Sequence, residues 1–352
     1  MSTTQSPEAV DPSTLTPLEE ACEWRHDDVG DSYVFQLTDS HLAELDAALT
    51  HAEATTDEVL DITRDDFPLP TLGPELAGIT AELINGRGMT LIRGVPVERY
   101  GKERASTIYW GVGTHLGHPW PQNAKGHLLG DVTDQGRGVD DPTARGNEIG
   151  GVPFPFHSDG SDLVGLFCLD AGVSGGESLV ANALAIHNEL VRTEPELAAE
   201  LYGQFPYDLR GEQPPGARSW YLMPIFTRRK DRLFVRYIRP YISSSRRHED
   251  APRVSEAGLA AMDRVDAMCA DPQYHVSMKM EPGDMQFVNN YHVLHARTGY
   301  TDDRAGGRIR HLKRLWLETE LLTDDDKPEQ YRLGGTSSYW ASKGRTRSDL
   351  VV

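Results

Sequence analysis

Two short segments that lie far apart in the chain constrain its fold most strongly, because together they suit a single metal ion. The first contains His157 and Asp159, and the second contains His295. A His-x-carboxylate pair followed much later by one more histidine is the pattern that holds non-haem Fe(II) by one face and leaves the other octahedral positions open. A fold that uses this pattern must bring both segments to one centre.

The His-x-carboxylate pattern is weakly specific, so its surroundings decide which copy is meaningful. The copies in this chain are His26/Asp28, His51/Glu53, His157/Asp159, His187/Glu189 and His248/Asp250. The second and fourth fall in predicted helices, where residues i and i+2 point about 200° apart and cannot chelate one ion. The first and last fall in charged segments that are typical of solvated loops.

The pair His157/Asp159 has a different setting. The aromatic, proline-containing segment Val152–Phe156 precedes it, and the apolar run Leu163–Leu169, which predicts a buried strand, follows it. In an extended segment residues i and i+2 share a face, as chelation requires.

Charge and cysteine content exclude several classes of protein. A net charge of −19 argues against nucleic acid or an anionic membrane as a partner, since both need a basic surface. The chain has no apolar run near the roughly 18 residues of a spanning helix. Cys22, Cys168 and Cys269 are odd in number and lack C-x-x-C spacing, which favours a reduced cytoplasmic protein and excludes a cysteine-type zinc site.

The order of elements predicts one domain over residues 21–352 after a disordered lead-in over residues 1–20. Residues 21–118 are predicted to be largely helical, and the Gly- and Asp-rich residues 126–151 are predicted to form a lid loop. The predicted helices are 40–54, 74–85, 102–116, 183–202 and 255–269.

After residue 154 short apolar segments alternate with turn residues. The predicted strands are 89–93, 163–169, 178–182, 222–226, 233–238, 275–280, 285–289 and 312–318. This pattern predicts an α+β, mainly β fold with a double-stranded β-helix (jelly-roll) core and flanking helices.

Five motifs then occur in one order along the chain. They are His157-Ser158-Asp159, Gly175-Gly176-Glu177-Ser178, Pro282-Gly283-Asp284, Asn290 with His295 and Arg297, and Arg310 with Arg314. This order resembles the taurine dioxygenase/TfdA-like family of Fe(II)- and 2-oxoglutarate-dependent oxygenases, which includes clavaminate synthase, over roughly residues 88–320. The resemblance implies a dioxygenase that consumes 2-oxoglutarate and O2 and releases succinate and CO2.

The resemblance implies that His157, Asp159 and His295 are the catalytic iron ligands. His292 competes for the distal position, but on a strand it faces away from His295, and His295 has the family's Asn290 and Arg297 around it. Related halogenases have a small residue in place of the carboxylate, so Asp159 disfavours halogenation.

The resemblance also assigns the co-substrate contacts. Arg310 matches the arginine that binds the distal carboxylate of 2-oxoglutarate, with Arg308 as its rival in register, and Ser178 matches the neighbouring hydroxyl, which is threonine in the taurine enzyme. Asn123 is a further candidate. For each arginine the alternative is an ordinary surface charge.

For the substrate the candidates are Arg314, Gln122 and Phe156. Arg314 matches a second arginine that contacts an anionic substrate group in several members, although an inward arginine satisfied by a buried acid has nearly equal weight. Gln122 and Asn123 lie in a proline-rich turn, where such residues also serve the backbone. Phe154, Phe156 and Trp120 are candidates for the pocket wall, although aromatic residues near a strand are commonly core.

Hydroxylation of a small, carboxylate-bearing, amino-acid-like metabolite is therefore the favoured activity, with desaturation or cyclisation possible at the same site. A sulfonate-catabolising oxygenase of the same family stays open, as do a cupin-type metalloenzyme without 2-oxoglutarate and a silent ligand-binding protein. The expected partner is a small molecule, with neither nucleic acid nor membrane, and a homodimer is compatible with the family.

Overall fold

The computed structural model describes residues 10–138, 140–141, 144, 146, 148–213, 215–329 and 331. Within these residues the α-helices are α1 His26–Val29, α2 Asp39–Thr55, α3 Leu72–Asn85, α4 Val97–Leu116, α5 Ala183–Thr193, α6 Pro195–Glu200, α7 Arg239–Ser244 and α8 Glu256–Ala270. Short 3-10 helices occupy Pro12–Thr14, Val59–Asp61 and Ser245–Arg247. None of the helices in these ranges is both long and apolar enough to cross a membrane.

The strands of the described chain form two main sheets and three small two-stranded sheets. The strands are β1 Val34–Gln36, β2 Met89–Arg93, β3 His118–Pro119, β4 Leu129–Val132, β5 Phe154–His157, β6 Leu163–Asp170, β7 Ser174–Gly175, β8 Ser178–Asn182, β9 Phe205–Asp208, β10 Trp220–Met223, β11 Phe226–Arg229, β12 Arg232–Val235, β13 His275–Met278, β14 Met285–Asn289, β15 Val293–Arg297, β16 Tyr300–Thr301 and β17 His311–Glu318. The larger sheet has the order β1-β2-β14-β6-β17-β3, with β4 also on β17, and the smaller has the order β13-β8-β15-β5. The fold is therefore a mixed α+β arrangement.

The two main sheets face each other across a shared apolar layer. Val164 of β6, Val288 of β14 and Trp316 of β17 pack in one cluster with Val180 of β8 and Val293 of β15. Because side chains alternate along a strand, the other faces of both sheets are free for helices.

Helices cover those outer faces. On the larger sheet, Leu163 and Phe167 of β6 pack with Leu45 of α2 and Tyr109 of α4. A separate cluster contains residues of the smaller sheet together with residues of α5 and α8. The site discussed below lies at β5 and β15, which belong to the smaller sheet.

Most predicted elements were found within a few residues, and proline explains two that were not. The predicted helix 183–202 is broken into α5 and α6 at Pro195, which has no N–H to donate to the preceding turn and starts α6 instead. The predicted strand 222–226 contains Pro224, and its two ends belong to different hairpins, β10 with β9 and β11 with β12.

The N-terminal segment is packed earlier than predicted. Residues 1–9 of the predicted lead-in lie outside the described residues, but Leu18 is buried. Its N–H donates to Asn188 Oδ1 and its carbonyl accepts from Asn188 Nδ2, both at 2.8 Å. The side-chain amide of Asn188 therefore pairs with both backbone polar groups of Leu18, as a neighbouring strand would. The single domain over residues 21–352 and its helical region to residue 118 stay predictions.

Candidate active site

Strand pairing brings the three predicted metal ligands together. His157 ends β5 and lies directly opposite His295 of β15, with 4.1 Å between the two ring centroids. Asp159 follows two residues later, and its Oδ2 lies 3.8 Å from His295 Nε2. One ligand atom of each residue lies within 4.8 Å of the other two. The convergence that the sequence pattern demands is therefore present.

The protonation of these groups suits a divalent metal. His157 Nδ1 lies 2.9 Å from the carbonyl of Pro155, which fixes the proton there and leaves Nε2 as the electron donor. Burial lowers the pKa of His157, and burial together with the neighbouring His157 lowers the pKa of His295 to about 3. Both imidazoles are therefore neutral near pH 7.

Asp159 supplies the negative charge of the set. Burial opposes its ionisation, but Arg314 and His295 outweigh that effect and hold the pKa of the carboxyl well below its usual range. Two neutral nitrogens and one carboxylate on one side of a cavity form a donor set that fits Fe(II) and leaves room for further ligands.

Asn290 holds the loop that carries Asp159. Its Oδ1 accepts from the N–H of Asp159 and its Nδ2 donates to the carbonyl of Ser161, both at 2.9 Å. Trp316 Nε1 donates to Asp159 Oδ2 at 3.2 Å and so fixes the carboxylate from the side. The motif residue Asn290 thus positions the ligand loop and is fully buried.

A cavity opens directly in front of the three ligands. Its polar wall contains Arg297, Arg310, Arg314 and Ser178, and its apolar wall contains Val132, Phe154, Val164, Leu166 and Ile238. Val132 and Gly146 belong to the predicted lid at residues 126–151, part of which lies outside the described residues. The cavity therefore combines an anion-binding side with a water-excluding side.

Arg310 is the predicted co-substrate arginine that the structure places in this cavity. It is only 5% exposed, Nη2 donates to the carbonyl of Gly176 over a long 3.3 Å, and Nη1 is buried without a hydrogen-bond partner among the described residues. Burial, followed by the nearby Arg297, lowers its pKa to about 10. An unpaired buried guanidinium donor is costly unless a ligand completes it.

Arg308, the alternative to Arg310 in the sequence, lies outside the cavity, whereas Ser178, the predicted hydroxyl partner, lies in its wall. Arg308 is exposed and donates to the carbonyl of Gly172 at 2.7 Å, and it is not among the described residues that line the cavity. Ser178 does line the cavity, and its hydroxyl donates to Gln286 Oε1 at 2.9 Å.

Arg314 reaches the cavity with help from a residue that was predicted to bind substrate. Gln122 is almost fully buried, and its Oε1 accepts from Arg314 Nε at 2.8 Å. Its Nε2 donates to the carbonyls of Leu128 and Arg314, also at 2.8 Å. Gln122 is not among the described cavity-lining residues, and its contact with the cavity runs through Arg314.

Asn123, predicted as a co-substrate contact, lies in a turn that its side chain holds. Its Oδ1 accepts from the N–H groups of Lys125 and His127, at 3.0 and 3.3 Å. These are the bonds of a turn that the side chain stabilises, and Asn123 does not contribute to the described cavity wall. Asparagine in a proline-rich turn serves the backbone here.

Phe154, not Phe156, walls the cavity, because β5 contains a bulge. His157 pairs with His295 and Phe154 with Arg297, so β5 has one residue more than β15 between those pairs. The bulge turns Phe154 to the side of His157, with 4.6 Å between ring centroids, and turns Phe156 into the apolar cluster behind the sheet. Pro155, which cannot donate a ladder hydrogen bond, was the sequence signal for this bulge.

Sequence reasoning missed Ile238, Tyr241 and Arg236. The first two line the cavity from the segment after β12. Arg236 donates to the carbonyls of Ser158 and Asp159 and so holds the ligand loop from below. These residues belong to no spacing pattern, so only the tertiary fold reveals them.

A second group of metal-ligand atoms is built differently. Glu20, Cys22 and His292 also lie within 4.8 Å of one another. The Glu20 carboxylate already accepts from the N–H of Leu233 at 2.8 Å, and Asn289 Nδ2 lies 3.3 Å from His292 Nδ1. His292 is buried just before β15 beside Asn289 and lies outside the group formed by His157, Asp159 and His295.

Comparisons with known proteins agree with this geometry. Residues 48–316 match the family described as taurine catabolism dioxygenase TauD, TfdA family. The chain is 32% identical over 302 residues to FR-33289 synthase of Streptomyces rubellomurinus, covering 84% of this chain and 89% of that protein. It is 27% identical over 331 residues to the taurine hydroxylase-like protein SAT17 of Stachybotrys chartarum, covering 88% and 84%.

Solved structures share the fold. An asparagine oxygenase with Fe(II), 3-hydroxyasparagine and succinate has a TM-score of 0.63 at 18% identity, covering 84% of this chain and 98% of that one. The non-heme iron oxygenase OrfP with Fe and alpha-ketoglutaric acid has a TM-score of 0.58 at 18% identity, covering 82% and 94%.

Proposed function

The chain belongs to the taurine catabolism dioxygenase TauD/TfdA family and is a non-haem Fe(II)- and 2-oxoglutarate-dependent dioxygenase, and we propose that it hydroxylates a small, carboxylate-bearing, amino-acid-like metabolite. One observation carries this proposal. A neutral His157, a neutral His295 and an ionised Asp159 converge beside a buried Arg310 whose Nη1 has no hydrogen-bond partner among the described residues. The three ligand side chains suit the iron, and the guanidinium of Arg310 suits a dicarboxylic co-substrate.

In this proposal His157, Asp159 and His295 hold the iron. Ferrous iron bound with 2-oxoglutarate supplies the oxygen activation, with release of succinate and CO2. The protein contributes geometry: Asn290 and Trp316 hold the Asp159 backbone and carboxylate in place. Retention of a carboxylate at position 159 supports hydroxylation over halogenation within the family.

Arg310 and Ser178 bind the distal carboxylate of 2-oxoglutarate in our proposal. The planar guanidinium can bind a carboxylate through two parallel hydrogen bonds, and a hydroxyl beside it fixes the orientation. Both side chains lie on the same cavity wall as the metal ligands. The co-substrate would therefore extend from the iron to Arg310.

Arg314 is the proposed anchor for an anionic group of the substrate. Its Nη1 lies 3.8 Å from Asp159 Oδ2, so an anion bound there would lie next to the iron site. The structural neighbours contain hydroxylated asparagine or arginine, which supports an amino-acid-like substrate for this chain. Phe154 and Ile238 supply the apolar wall that would exclude water from the reacting carbon.

A sulfonate substrate is the second candidate. A guanidinium such as that of Arg314 binds a sulfonate as well as a carboxylate, and one relative is described as taurine hydroxylase-like.

We further propose that the two facing sheets are the predicted double-stranded β-helix and that residues 126–151 act as its lid. The three cysteines are free and buried in the described chain, which supports a reducing cytoplasm as its location. The homodimer stays a prediction.

Substrate-dependent succinate release tests the proposal. The protein with Fe(II), 2-oxoglutarate and O2 is supplied in turn with free amino acids, with N-acylated carboxylates and with taurine, and succinate and hydroxylated product are measured together. We expect equal amounts of both with a carboxylate-bearing compound. Turnover with taurine alone would favour the sulfonate candidate, and absence of succinate with every compound would contradict the proposal.

A further inference from the structure

A buried ion cluster lies directly behind the loop that carries the proposed iron ligands. Its centre is Asp162, three residues after Asp159 and fully buried. Its Oδ1 accepts from the hydroxyl of Tyr291 at 2.8 Å, and its Oδ2 accepts from the N–H of Thr319 at 2.9 Å. One carboxylate thus joins the ligand loop to the turn before β15 and to the end of β17.

The cation of this cluster comes from the segment that follows β17. Lys327 is only 3% exposed, and its ammonium contacts the carboxylate of Asp162 and lies 2.7 Å from Glu318 Oε2. The ammonium thus lies between two buried carboxylates, and removing one member of a buried ion pair is strongly unfavourable. Lys327 therefore ties the C-terminal segment to the ligand loop.

The contacts of the cluster fix the distance between the two halves of the iron site. His157 and Asp159 lie on the loop side of Asp162, whereas Tyr291 lies in the turn that leads into β15 and His295. The N–H of Asn290 also donates to the carbonyl of Asp162 at 3.0 Å. A shift of Asp162 would thus be transmitted to both halves.

We propose that Lys327 is a positioning residue for the iron site: its ammonium, held between Asp162 and Glu318, keeps the ligand loop and β15 in the register that lets His157, Asp159 and His295 bind one ion. This inference rests on the proposed function of those three ligands. It makes iron affinity depend on a segment that lies outside both sheets and contributes no metal ligand.

Outer partners of metal ligands typically affect metal affinity by about 10- to 100-fold when they are removed. Lys327 reaches the ligands indirectly, through Asp162, so the lower end of this range applies. We therefore expect Lys327→Met to weaken Fe(II) binding about tenfold and to shift the visible band of the Fe(II)–2-oxoglutarate complex. Lys327→Arg, which keeps the cation, should retain most of the affinity and the band position.

The chain offers a matched control in the same segment. Lys230 Nζ pairs with Asp326 Oδ1 at 2.7 Å, but this lysine side chain is 62% exposed. Lys230→Met removes an ammonium–carboxylate pair next to Lys327 without touching Asp162, and exposed pairs contribute little. Its iron affinity should equal that of the wild type.

The test is an anaerobic Fe(II) titration of wild type and variants in the presence of 2-oxoglutarate, with thermal melts of the same samples. An unchanged iron affinity and an unchanged band position in a folded Lys327→Met protein would overturn the proposal. A lower melting temperature alone would show only a structural role for Lys327. An equal loss in Lys230→Met would also overturn it. Failure of the wild type to bind iron would instead contradict the proposed function.

A measurement on the wild type covers the case in which Lys327→Met does not fold. If iron and the C-terminal segment are coupled, binding of Fe(II) and 2-oxoglutarate must stabilise that segment in return. Amide hydrogen exchange in residues 319–329 should slow on binding by at least about threefold more than in α2. Equal exchange with and without iron would overturn the proposal.

Discussion

Replacement of Arg310 by glutamine should remove most of the affinity for 2-oxoglutarate and leave the affinity for Fe(II) unchanged. Arg310 lies in the cavity wall, where Nη1 has no hydrogen-bond partner among the described residues and Nη2 makes a long 3.3 Å bond to the carbonyl of Gly176. Both nitrogens are therefore available to a carboxylate. Glutamine keeps a polar side chain of similar reach but loses the charge and the fork.

The size of the effect follows from these contacts. A hydrogen bond to a charged group contributes about 1.5–3 kcal/mol, so two such bonds contribute about 3–6 kcal/mol. The lower end applies here, because burial already disfavours the guanidinium, lowering its pKa to about 10, and because the bond to Gly176 must be given up. A loss of about 3 kcal/mol raises Kd by about two orders of magnitude.

The assay is an anaerobic titration of the Fe(II)-loaded protein with 2-oxoglutarate, followed by the charge-transfer band of the chelate. Arg308→Gln is the matched control, since Arg308 is exposed and donates to the carbonyl of Gly172 outside the described cavity wall. We expect that control to titrate like the wild type. An Arg310→Gln protein with wild-type affinity, or an equal loss in Arg308→Gln, would refute the assignment of the distal carboxylate.

Three further predictions concern Gly176, Gln122 and His187. Gly176→Ala should weaken 2-oxoglutarate binding by about tenfold and lower the melting temperature. Gly176 has φ +77°, and a Cβ there would lie 2.6 Å from Arg310 Nε. Unchanged titration and melting curves would contradict this. Gln122→Ala should raise the KM for substrate about tenfold at unchanged iron affinity, since it releases the Nε of Arg314; succinate kinetics check it, and an unchanged KM speaks against an orienting role. Burial lowers the pKa of His187 from 6.5 to about 4, so between these pH values the unfolded chain binds a proton that the folded chain does not. The free energy of unfolding therefore falls, by up to about 3 kcal/mol, as the pH drops from 6.5 to 4. Urea unfolding of His187→Gln should show a flatter pH dependence, and an equally steep one would count against this cause.

Patterns with a fixed period or a fixed order made the site predictable. β6 and β14 have mostly apolar sequences and are buried strands, and the apolar residues of β17 are buried. The alternation rule selected His157/Asp159 over four similar pairs, and pairing of β5 with β15 placed His295 opposite His157. The triad was thus predictable because His157 and His295 lie on paired strands and Asp159 follows β5 within two residues.

Other residues depend on local irregularity. Phe154 replaced Phe156 in the cavity because one extra residue in β5 inverts the alternation, and a bulge changes the face without changing the apolar pattern. Gln122 was assigned to the substrate because it lies close to the lid in sequence. Proximity in sequence does not show which neighbour the side-chain amide contacts, and in the structure it contacts Arg314.

Residues that act from a distance in sequence were invisible. Lys327 and Arg236 belong to no motif, and their partners Asp162, Glu318 and Asp159 come from other segments. A lysine after a strand normally predicts a solvated charge, since lysine is almost never fully buried unless it is paired. Only the tertiary contacts distinguish this one.

In our proposal His157, Asp159 and His295 bind a single ferrous ion. Iron-edge anomalous diffraction from anaerobic crystals soaked with Fe(II) tests it most directly. We expect one anomalous peak per chain, within coordination distance of all three side chains. A peak at Glu20, Cys22 and His292 instead, or a peak beside His295 that lies beyond coordination distance of His157 and Asp159, would contradict it.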